Sequence, residues 1–573
     1  MFKTLVLKAS QFVALSVALF LSTTAHSAPI VLSVGPATDN NCDYNTVFDA
    51  VNSGFFNMDI RISNELITTT GVTITDYDVI NLSGGYFNCA DAENGILDIF
   101  NPYSEITNLN AGPALRLSYI TRNSHIIDIS GLKFHDSNGG ITVTSGAGNT
   151  SLTINMSSVD IYDNIFHGLK TSGTGVVINY DHGVIENNID GDFGGGLNCT
   201  DAEIHFGEDV KINNNKANLG GGIYAKRCTV YMLAGDTGAN NYGIVNNKAN
   251  NAGGGAYLDE SFLLGFGLLS HPISISNNAV LNDTVDGRGG GIYIESGSSM
   301  QITNARIDGN KAKLSGGAIA TVHSNANISA PTFLVGRDVG GCSYAETCVS
   351  LSGNTVSNNA SYGVAISQRG GGFGYVLNAL IENNTSTTAT SVFKVRTNAQ
   401  LYLISDIVVN NQSQNHLIDQ QNESFVGIQY STLADNIVQN YFAVQYDNNN
   451  PQTLEVTATI IKNGQATIAF LDGDNGNHDA QVKCSLVEVN DTTGVVQNQS
   501  IIGEPHFIGN GNYKLLTDSI AIDSNCTTVA INDLAELDAR GQSRLDDGNA
   551  DLGAYEIIPL DDIIFTNSFE GGL

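Results

Sequence analysis

The chain has 573 residues and a net charge of −32, from 57 acidic and 25 basic residues. This balance argues against nucleic-acid binding, which needs a basic surface to displace counterions. It also disfavours anionic membranes and polyanionic polysaccharides, unless Ca²⁺ bridges the like charges. Charged residues make up only 14%, so Gly, Asn, Ser and Thr supply much of the polarity, and the acidic excess favours solubility in a salty exterior.

The first 27 residues have the pattern of a secretory signal peptide. Lys3 and Lys8 give a positive start, residues 12–21 are apolar, and Ala25-His26-Ser27 offers a small-residue cleavage site. The apolar run is shorter than the roughly 20 residues that a membrane-spanning helix needs; an uncleaved N-terminal anchor is the alternative. We therefore expect a secreted protein, or one on the outer surface of a bacterium, with no transmembrane segment in the mature chain.

Eight cysteines in an exported chain predict disulfides, because cysteine pairs persist in oxidising compartments. On the order of 100 connectivities are possible, so any one pairing is a hypothesis. Zinc binding is the alternative, but the sequence contains no Cys-x-x-Cys motif. Proximity along the chain suggests the pairs Cys42–Cys89, Cys199–Cys228, Cys342–Cys348 and Cys484–Cys526.

Residues 44–51 have the pattern of a short amphipathic helix. The repeat described below predicts that the chain folds as a stack of coils. Such a stack exposes an open sheet edge and an apolar interior at each end, and a helix can cover both. We therefore predict an N-terminal cap over residues 28–60.

An aliphatic residue followed three positions later by Asn recurs along most of the chain. The Asn residues are 24 to 32 positions apart, except for one gap of 49 that we interpret as two coils with a weak copy near Asn354. A period in this range predicts a stacked solenoid, and the aliphatic–polar alternation before each Asn predicts short strands. The pairs are Ile161/Asn164, Ile185/Asn188, Ile212/Asn215, Ile244/Asn247, Ile275/Asn278, Ile307/Asn310, Val356/Asn359, Ile381/Asn384, Ile407/Asn410, Leu433/Asn436 and Ile460/Asn463.

The repeated Asn has two predicted roles. Asn tolerates the left-handed conformation of a sharp corner, and amides stacked coil upon coil can form a hydrogen-bonded ladder. A strand that turns a corner without reversing pairs in parallel with its counterpart one coil away. The sequence therefore predicts an all-β protein, a right-handed parallel β-helix over residues 61–500.

Glycine clusters form a second repeated signal. Glycine permits positive φ and close backbone approach, so each cluster predicts a tight corner. A phosphate-binding loop is the alternative, but the following helix and Lys-Ser/Thr that it requires are absent. The clusters are residues 194–196, 220–222, 253–255, 289–291, 316–317 and 370–372.

Three resemblances to known families follow from these motifs. Ile307 to Asn310 followed by Gly316 to Ile319 resembles the repeats of bacterial polymorphic outer-membrane proteins, over about residues 160–390. Residues 34–36, 42–47 and 84–89 look like the opening of secreted β-helix proteins of the pectate-lyase-like superfamily. The C-terminal part is similar to the choice-of-anchor Q domain of bacterial surface proteins, through residues 484–486, 505–507, 519–523, 538–544 and 551–556.

The last resemblance implies a surface-exposed or exported protein and sets the remaining boundaries. Residues 501–558 are a predicted irregular capping region, similar to choice-of-anchor Q, that closes the last coil. Residues 559–573 form a tail that resembles a Phe-x-x-Gly-Phe-Glu sorting signal, with Ser568 in place of the glycine. An ordinary frayed terminus is the alternative.

The β-helix class includes lyases, esterases and hydrolases, but a fold alone does not define an activity. The sequence lacks the ordered Asp, His and Arg motifs of polygalacturonases and pectate lyases. Asp181-His182 is interpreted as a turn beside Gly183. The pairs Asp546-Asp547 and Asp561-Asp562 are interpreted as solvated loops, because adjacent strand residues point to opposite faces. We assign no catalytic or cofactor-binding residue.

One segment has the composition of a calcium site. Asp472, Asp474, Asn477 and Asp479 place oxygen ligands at alternating positions around glycines, which suits a hard cation; an acidic hairpin between strands is the alternative. Otherwise no cofactor is required. The prediction is a non-catalytic structural or adhesive β-helix protein that contacts polysaccharide or cell-surface components, with a polysaccharide lyase or hydrolase as the alternative.

Overall fold

A computed structural model of the chain has 56% of its residues in strands and 3% in helices, arranged as a parallel β-helix. The fold class predicted from the sequence is thus confirmed. The described residues are 29–55, 57–75, 79–119, 125–146, 151–233, 242–268, 271–282, 288–323, 332–336, 349–352, 355–356, 363–386, 391–438, 441–446, 452–462, 469–473, 478–488, 496–523, 535–540, 542–544 and 549–557. The predicted signal peptide and the tail from residue 559 lie outside them.

One complete coil shows the path of the chain. Glu203–Phe206 and Val210–Asn213 lie in the two wings of one bent sheet, and Lys216–Leu219 and Ile223–Lys226 lie in two further sheets. The chain then returns to the bent sheet one coil higher, so every inter-coil pairing in the described stack is parallel.

The bent sheet has 30 strands in two wings. Three long strands run through both wings: His125–His135, Leu152–Tyr162 and Val176–Glu186. The other strands of the first wing are Ile30–Val34, Met58–Ser63, Val79–Tyr86, Glu203–Phe206, Thr229–Leu233, Phe262–Phe266, Ser299–Thr303, Thr332–Gly336, Phe373–Leu377, Gln400–Ile404, Phe425–Gln429, Gln452–Thr457, His478–Lys483 and Val496–Asn498. Those of the second wing are Ile67–Thr68, Ser104–Thr107, Val210–Asn213, Gly243–Val245, Ile273–Ser276, Ala305–Asp308, Val349–Ser352, Ala379–Glu382, Ile407–Val409, Thr432–Ala434, Ile460–Lys462, Leu486–Val487 and Ile501–Ile502.

The other two large sheets have 14 and 8 strands. The 14-stranded sheet contains Val72–Thr75, Pro113–Tyr119, Gly139–Ser145, Leu169–Ser172, Leu197–Thr200, Ile223–Lys226, Ala256–Asp259, Ile292–Glu295, Ile319–Val322, Ile366–Arg369, Phe393–Arg396, His416–Gln421, Tyr441–Tyr446 and Ala469–Gly473. The 8-stranded sheet contains Lys216–Leu219, Lys248–Ala252, Ala279–Val280, Lys311–Ala312, Thr355–Val356, Thr385–Ser386, Gln412–Ser413 and Ile437–Val438. Phe507–Gly509 and Asn512–Leu515 form a separate antiparallel hairpin.

The two helices of the described residues, Val47–Val51 and Cys89–Asn94, lie at the N-terminal end. Thr46 caps the first helix by accepting a hydrogen bond from the Asp49 backbone amide at 3.0 Å, as N-cap residues do. The helix falls within the predicted segment 44–51 and packs near the first strands. Ile30–Val34, which the sequence analysis placed in the cap, already pairs in parallel with Met58–Ser63.

The interior is a continuous apolar core built from stacked aliphatic side chains. Because strand side chains alternate between the two faces, one set points inward in each sheet. The second wing, for example, stacks Ile161, Ile185, Ile212, Ile244, Ile275 and Ile307, all fully buried.

The predicted asparagine ladder is present at the corner between the second wing and the 8-stranded sheet. Asn247 is fully buried; its Nδ2 donates to Oδ1 of Asn278 at 3.1 Å and to the carbonyl of Ile212 at 2.8 Å. Its Oδ1 accepts from the Asn215 backbone amide at 2.9 Å. The same pattern links Asn164, Asn188, Asn215, Asn247, Asn278 and Asn310, and again Asn384, Asn411 and Asn436.

The ladder corrects two details of the sequence analysis. The left-handed residue at this corner precedes the ladder Asn, as at Asn187 and Asn246, which have φ of 57° and 58°. The predicted Asn410 occupies this left-handed position, with φ of 54°, and Asn411 forms the ladder. The two roles that we gave to one residue therefore belong to two neighbours.

The gap of 49 residues also has a different explanation. Ile307 pairs directly with Leu351, and Leu351 pairs with Ile381. A single coil with a long insertion therefore fills the interval, not two coils. Val356 lies in the 8-stranded sheet opposite Ala312, so its assignment to the repeated position was wrong.

The glycine clusters form corners, as predicted. At the corner between the 8- and 14-stranded sheets, Gly220 has φ of 63°. A Cβ on Gly221 would lie only 2.4 Å from the carbonyl oxygen of Lys248 in the next coil, so only glycine fits. The cluster 370–372 belongs to a different corner, between the strands Ile366–Arg369 and Phe373–Leu377.

Residues 503–557, where described, pack along the side of the C-terminal coils and not, as predicted, over the last coil. The Gly553 amide donates to the carbonyl of Ala458, and the Ala554 amide donates to Thr432 Oγ1, both at 2.9 Å. Ile407 and Ile460, predicted to point inward, point outward and are buried by this region. Val408 and Ile461 take their places in the core.

Arg544 anchors this lateral contact. Its side chain is fully buried, and its Nη2 donates to Ser405 Oγ at 3.0 Å and to the Ala554 carbonyl at 3.2 Å. The guanidinium lies 4.6 Å from the ring centre of Tyr430. Asp538, also fully buried, accepts two backbone hydrogen bonds at 2.8 Å. Arg544 thus holds the C-terminal region to the coils.

Candidate functional site

The disulfide predictions are confirmed where both cysteines are described. Cys42–Cys89 joins the N-terminal segment to the second helix, and Cys199–Cys228 lies inside the coil stack. Cys484 is also disulfide-bonded. Its predicted partner Cys526 lies outside the described residues, as do Cys342 and Cys348.

The predicted calcium segment is only partly described. Asp472 lies in the strand Ala469–Gly473 of the 14-stranded sheet, and Asp479 lies in the strand His478–Lys483 of the first wing, so the two strands belong to different sheets. Asp474 and Asn477 lie outside the described residues. Among those described, one group of metal-ligating residues lies close together, Asp39 with Cys42 and Cys89, and its two sulfurs form a disulfide.

Asp181-His182 was predicted to be a turn, but both residues lie within the strand Val176–Glu186, which bends at His182. His182 has φ of 51° and a half-exposed side chain. Its Nε2 lies 3.9 Å from an oxygen of Asp209, which is beyond hydrogen-bonding distance. The pairs Asp546-Asp547 and Asp561-Asp562 lie outside the described residues.

A polar cluster that was not predicted from the sequence lies on the outer face of the second wing. Glu105, Lys133 and Asp160 occupy one row across three coils, in register. Thr107, His135, Tyr162 and Glu186 occupy the next row. These side chains point outward because their neighbours Leu132, Phe134, Val159 and Ile161 fill the core.

His135 is at the centre of this cluster. Its ring stacks on Tyr162 with centroids 4.8 Å apart and planes inclined by 6°. Its Nδ1 lies 2.9 Å from Asp136 Oδ2, whereas Nε2 lies 3.6 Å from Glu105 Oε2. Nε2 is buried and, among the described residues, has no hydrogen-bond partner. It is the ring nitrogen of His135 that these residues leave without a hydrogen bond, and it is shielded from solvent.

Burial also changes the proton affinity of two groups in the cluster. It raises the pKa of Asp160, although the Val184 amide and Lys133 oppose the shift. It raises the pKa of Tyr162 to about 12, with a further contribution from nearby carboxylates that include Glu105. A carboxyl group that holds its proton more tightly can act as a general acid near neutral pH.

A second group of polar residues lines a depression of about 260 Å³ at the corner between the 14-stranded sheet and the first wing. Arg227 binds Asp201 through two hydrogen bonds of 2.6 and 2.8 Å. Glu203 Oε1 lies 2.6 Å from His205 Nε2, and this contact lowers the pKa of Glu203. His205 in turn stacks on Tyr231 at 4.5 Å. These charged groups are already paired with one another.

Aligning the coils on the ladder Asn would have revealed the polar cluster. Asp160 and Tyr162 flank Ile161, and Val184 and Glu186 flank Ile185 in the next coil. The motifs used in the sequence analysis are contiguous, so they do not detect residues that meet from coils 24 or 27 positions apart.

The architecture places the chain in the class of parallel β-helix solenoids. No model of a known protein family and no curated protein matches the sequence. Among the described residues, no helix is long and apolar enough to cross a bilayer.

Proposed function

We propose that this chain is an exported, non-catalytic β-helix protein that acts on the outer surface of a bacterial cell as a structural or adhesive rod. The signal-peptide pattern supports export, and the two disulfides suit an oxidising compartment. The resemblances to the pectate-lyase-like superfamily, to polymorphic outer-membrane proteins and to choice-of-anchor Q domains favour the same location.

The main support is the way in which outer side chains bind their equivalents in neighbouring coils. Asn179 donates to Asn155 at 2.8 Å, and Asn155 donates to Asp128 at 2.7 Å. Tyr375 and Tyr402 stack with centroids 4.8 Å apart. Such columns repeat one chemical group along the rod, which suits many weak contacts with a repetitive partner.

The test measures location and turnover separately. The full chain with its own N-terminal segment is expressed in a bacterium with an outer membrane, and intact cells are treated with protease. We expect degradation of the protein on intact cells and binding of the purified protein to surface polysaccharides without cleavage. Retention in the cytoplasm, or new reducing ends at catalytic turnover, would refute the proposal.

The polar cluster favours a second candidate, a polysaccharide lyase or hydrolase. Asp160 with its raised pKa and the buried, unpaired Nε2 of His135 are the groups that would donate or accept a proton. Assays with uronate and neutral polysaccharides, with and without Ca²⁺, distinguish the two functions. Cleavage that is lost in both Asp160→Asn and His135→Gln would establish the second candidate.

A further inference from the structure

The 8-stranded sheet carries a row of lysines on its outer surface. Lys216 pairs with Lys248, Lys248 pairs with Ala279, and Ala279 pairs with Lys311. All three lysines are exposed, while Ala217, Ala249 and Ala312 point into the structure. Coils are about 4.8 Å apart, so the row places three positive charges within about 15 Å along the rod.

This arrangement is unusual in a chain with a net charge of −32. Like charges directly opposite each other on paired strands destabilise the pairing. Residues 216–219, 248–252, 279–282 and 311–315 contain no Asp or Glu. Among the described residues, Lys216, Lys248 and Lys311 form no ion pair, whereas Lys226 on the adjacent sheet is paired with Asp259 at 2.8 Å.

The surroundings of the lysines add polar groups and further positive charge. Asn250 Nδ2 donates to Asn218 Oδ1 at 2.6 Å, which fixes a pair of amides beside Lys216 and Lys248. Lys313 and Arg288 lie partly exposed at the margin of the same sheet. The carboxylate of Asp190 in the preceding coil accepts hydrogen bonds from the backbone amides of Asp192 and Phe193. It does not neutralise the lysine row by an ion pair.

We propose that this lysine row, formed by Lys216, Lys248 and Lys311, binds an acidic polysaccharide that lies parallel to the axis of the rod. The inference rests on the proposed function, because it names the partner of an adhesive rod. Lysine is a flexible point charge that can follow carboxylates along a polymer. Charges elsewhere on the rod do not prevent this contact, because salt screens interactions beyond about 8 to 10 Å.

The row departs from the expectation that an acidic chain avoids polyanions unless Ca²⁺ bridges them. Direct binding by lysine requires no metal, so a chelator distinguishes the two modes. A polymer suits the row better than a single small anion, because the charges are spread over several coils.

The experiment compares the full-length wild-type protein with two triple variants. One is Lys216→Gln/Lys248→Gln/Lys311→Gln. The control is Lys170→Gln/Lys211→Gln/Lys483→Gln, which removes the same charge from strands of the other two sheets. Immobilised polygalacturonate, neutral dextran, and vesicles of phosphatidylglycerol with phosphatidylcholine serve as probes, all in EDTA. Circular dichroism checks that each variant is folded.

We expect the wild-type protein and the control to bind polygalacturonate equally, and the lysine-row variant to bind about tenfold more weakly, as the loss of three exposed ion pairs implies. Added NaCl should weaken the wild-type binding. Equal loss in both variants, no loss in either, or binding only to the vesicles would refute the lysine row as the site. Binding to dextran alone would refute it and leave the adhesive function intact, whereas cleavage of either polymer would refute the adhesive function itself.

Discussion

Replacing Asn247 by Ala tests whether the asparagine ladder stabilises the coils. The substitution removes four hydrogen bonds made by the side chain, two to Asn278 and Ile212 and two from Asn215. It leaves the Asn215 amide and the Ile212 carbonyl without these partners in the interior. Each buried polar group that loses its partner costs about 1–3 kcal/mol, so we expect a loss of about 2–6 kcal/mol.

Asn250→Ala is the matched control, three positions later on the strand Lys248–Ala252 that follows the corner. Its side chain points outward and makes one hydrogen bond, to Asn218. Loss of a partly exposed neutral hydrogen bond costs about 1 kcal/mol or less. The two variants therefore change the same residue type in the same coil and differ in burial.

Urea denaturation followed by circular dichroism gives the overall effect, and hydrogen exchange locates it. Because repeat proteins can open locally, we expect faster exchange at the amides of residues 212–215 and 243–248 in Asn247→Ala, and not in Asn250→Ala. Equal destabilisation by both variants, or a loss below about 1 kcal/mol for Asn247→Ala, would show that the ladder does not stabilise the coil.

Three further predictions concern single buried groups. Burial raises the pKa of Asp406 well above its usual value, so its folded form keeps a proton that the unfolded chain releases above about pH 4. The contribution of Asp406 to the free energy of unfolding therefore falls as the pH rises from about 4 through the raised pKa of the folded state. Asp406→Ser, which imitates Ser431 and Ser485 at the same corner, should raise the urea midpoint at pH 7 by more than at pH 4, and an equal effect at both would contradict this. Cys199→Ser/Cys228→Ser opens a link across 29 residues and should cost about 3–4 kcal/mol; a melting temperature equal to that of the oxidised wild type would contradict it. Arg544→Met should release the C-terminal region at a cost of about 3 kcal/mol, seen as faster proteolysis within residues 503–557, with the exposed Arg227→Met as control. Equal proteolysis of both variants would contradict it.

The periodicity of the sequence predicted the coils, because each strand contributes one set of aliphatic side chains to the common core. The prediction failed where the same sequence is compatible with two registers of the strand. Ile407-Val408-Val409-Asn410-Asn411 satisfies the repeat in either register, and pairing of Val408 with Ile381 selects the second one. At Ile460 the alternation of the preceding strand does not continue. Ala458 has φ of 50°, and this bend reverses which side chains face inward, so Ile461 and not Ile460 enters the core.

The C-terminal region explains why these outward isoleucines were assigned to the core. Both are buried, but by residues more than 50 positions later in the chain. A sequence pattern shows that a residue is apolar, but it does not show whether the coil interior or the C-terminal region buries that residue. The polar cluster was missed for a related reason, since His135 and Tyr162 meet only when coils stack.

The net charge of an elongated molecule does not give the electrostatic potential at one part of its surface, just as overall composition does not give the residues of one site. In a compact protein, most charges lie within a few screening lengths of any surface point. In a solenoid of about 15 coils, each near 4.8 Å, the ends lie some 70 Å apart, several times the screening length of about 8 to 10 Å. A ligand at Lys248 therefore responds mainly to residues of nearby coils, and the strands of the 8-stranded sheet around it carry no carboxylate. The excess of −32 describes the whole rod, whereas attraction of a polyanion depends on this one face.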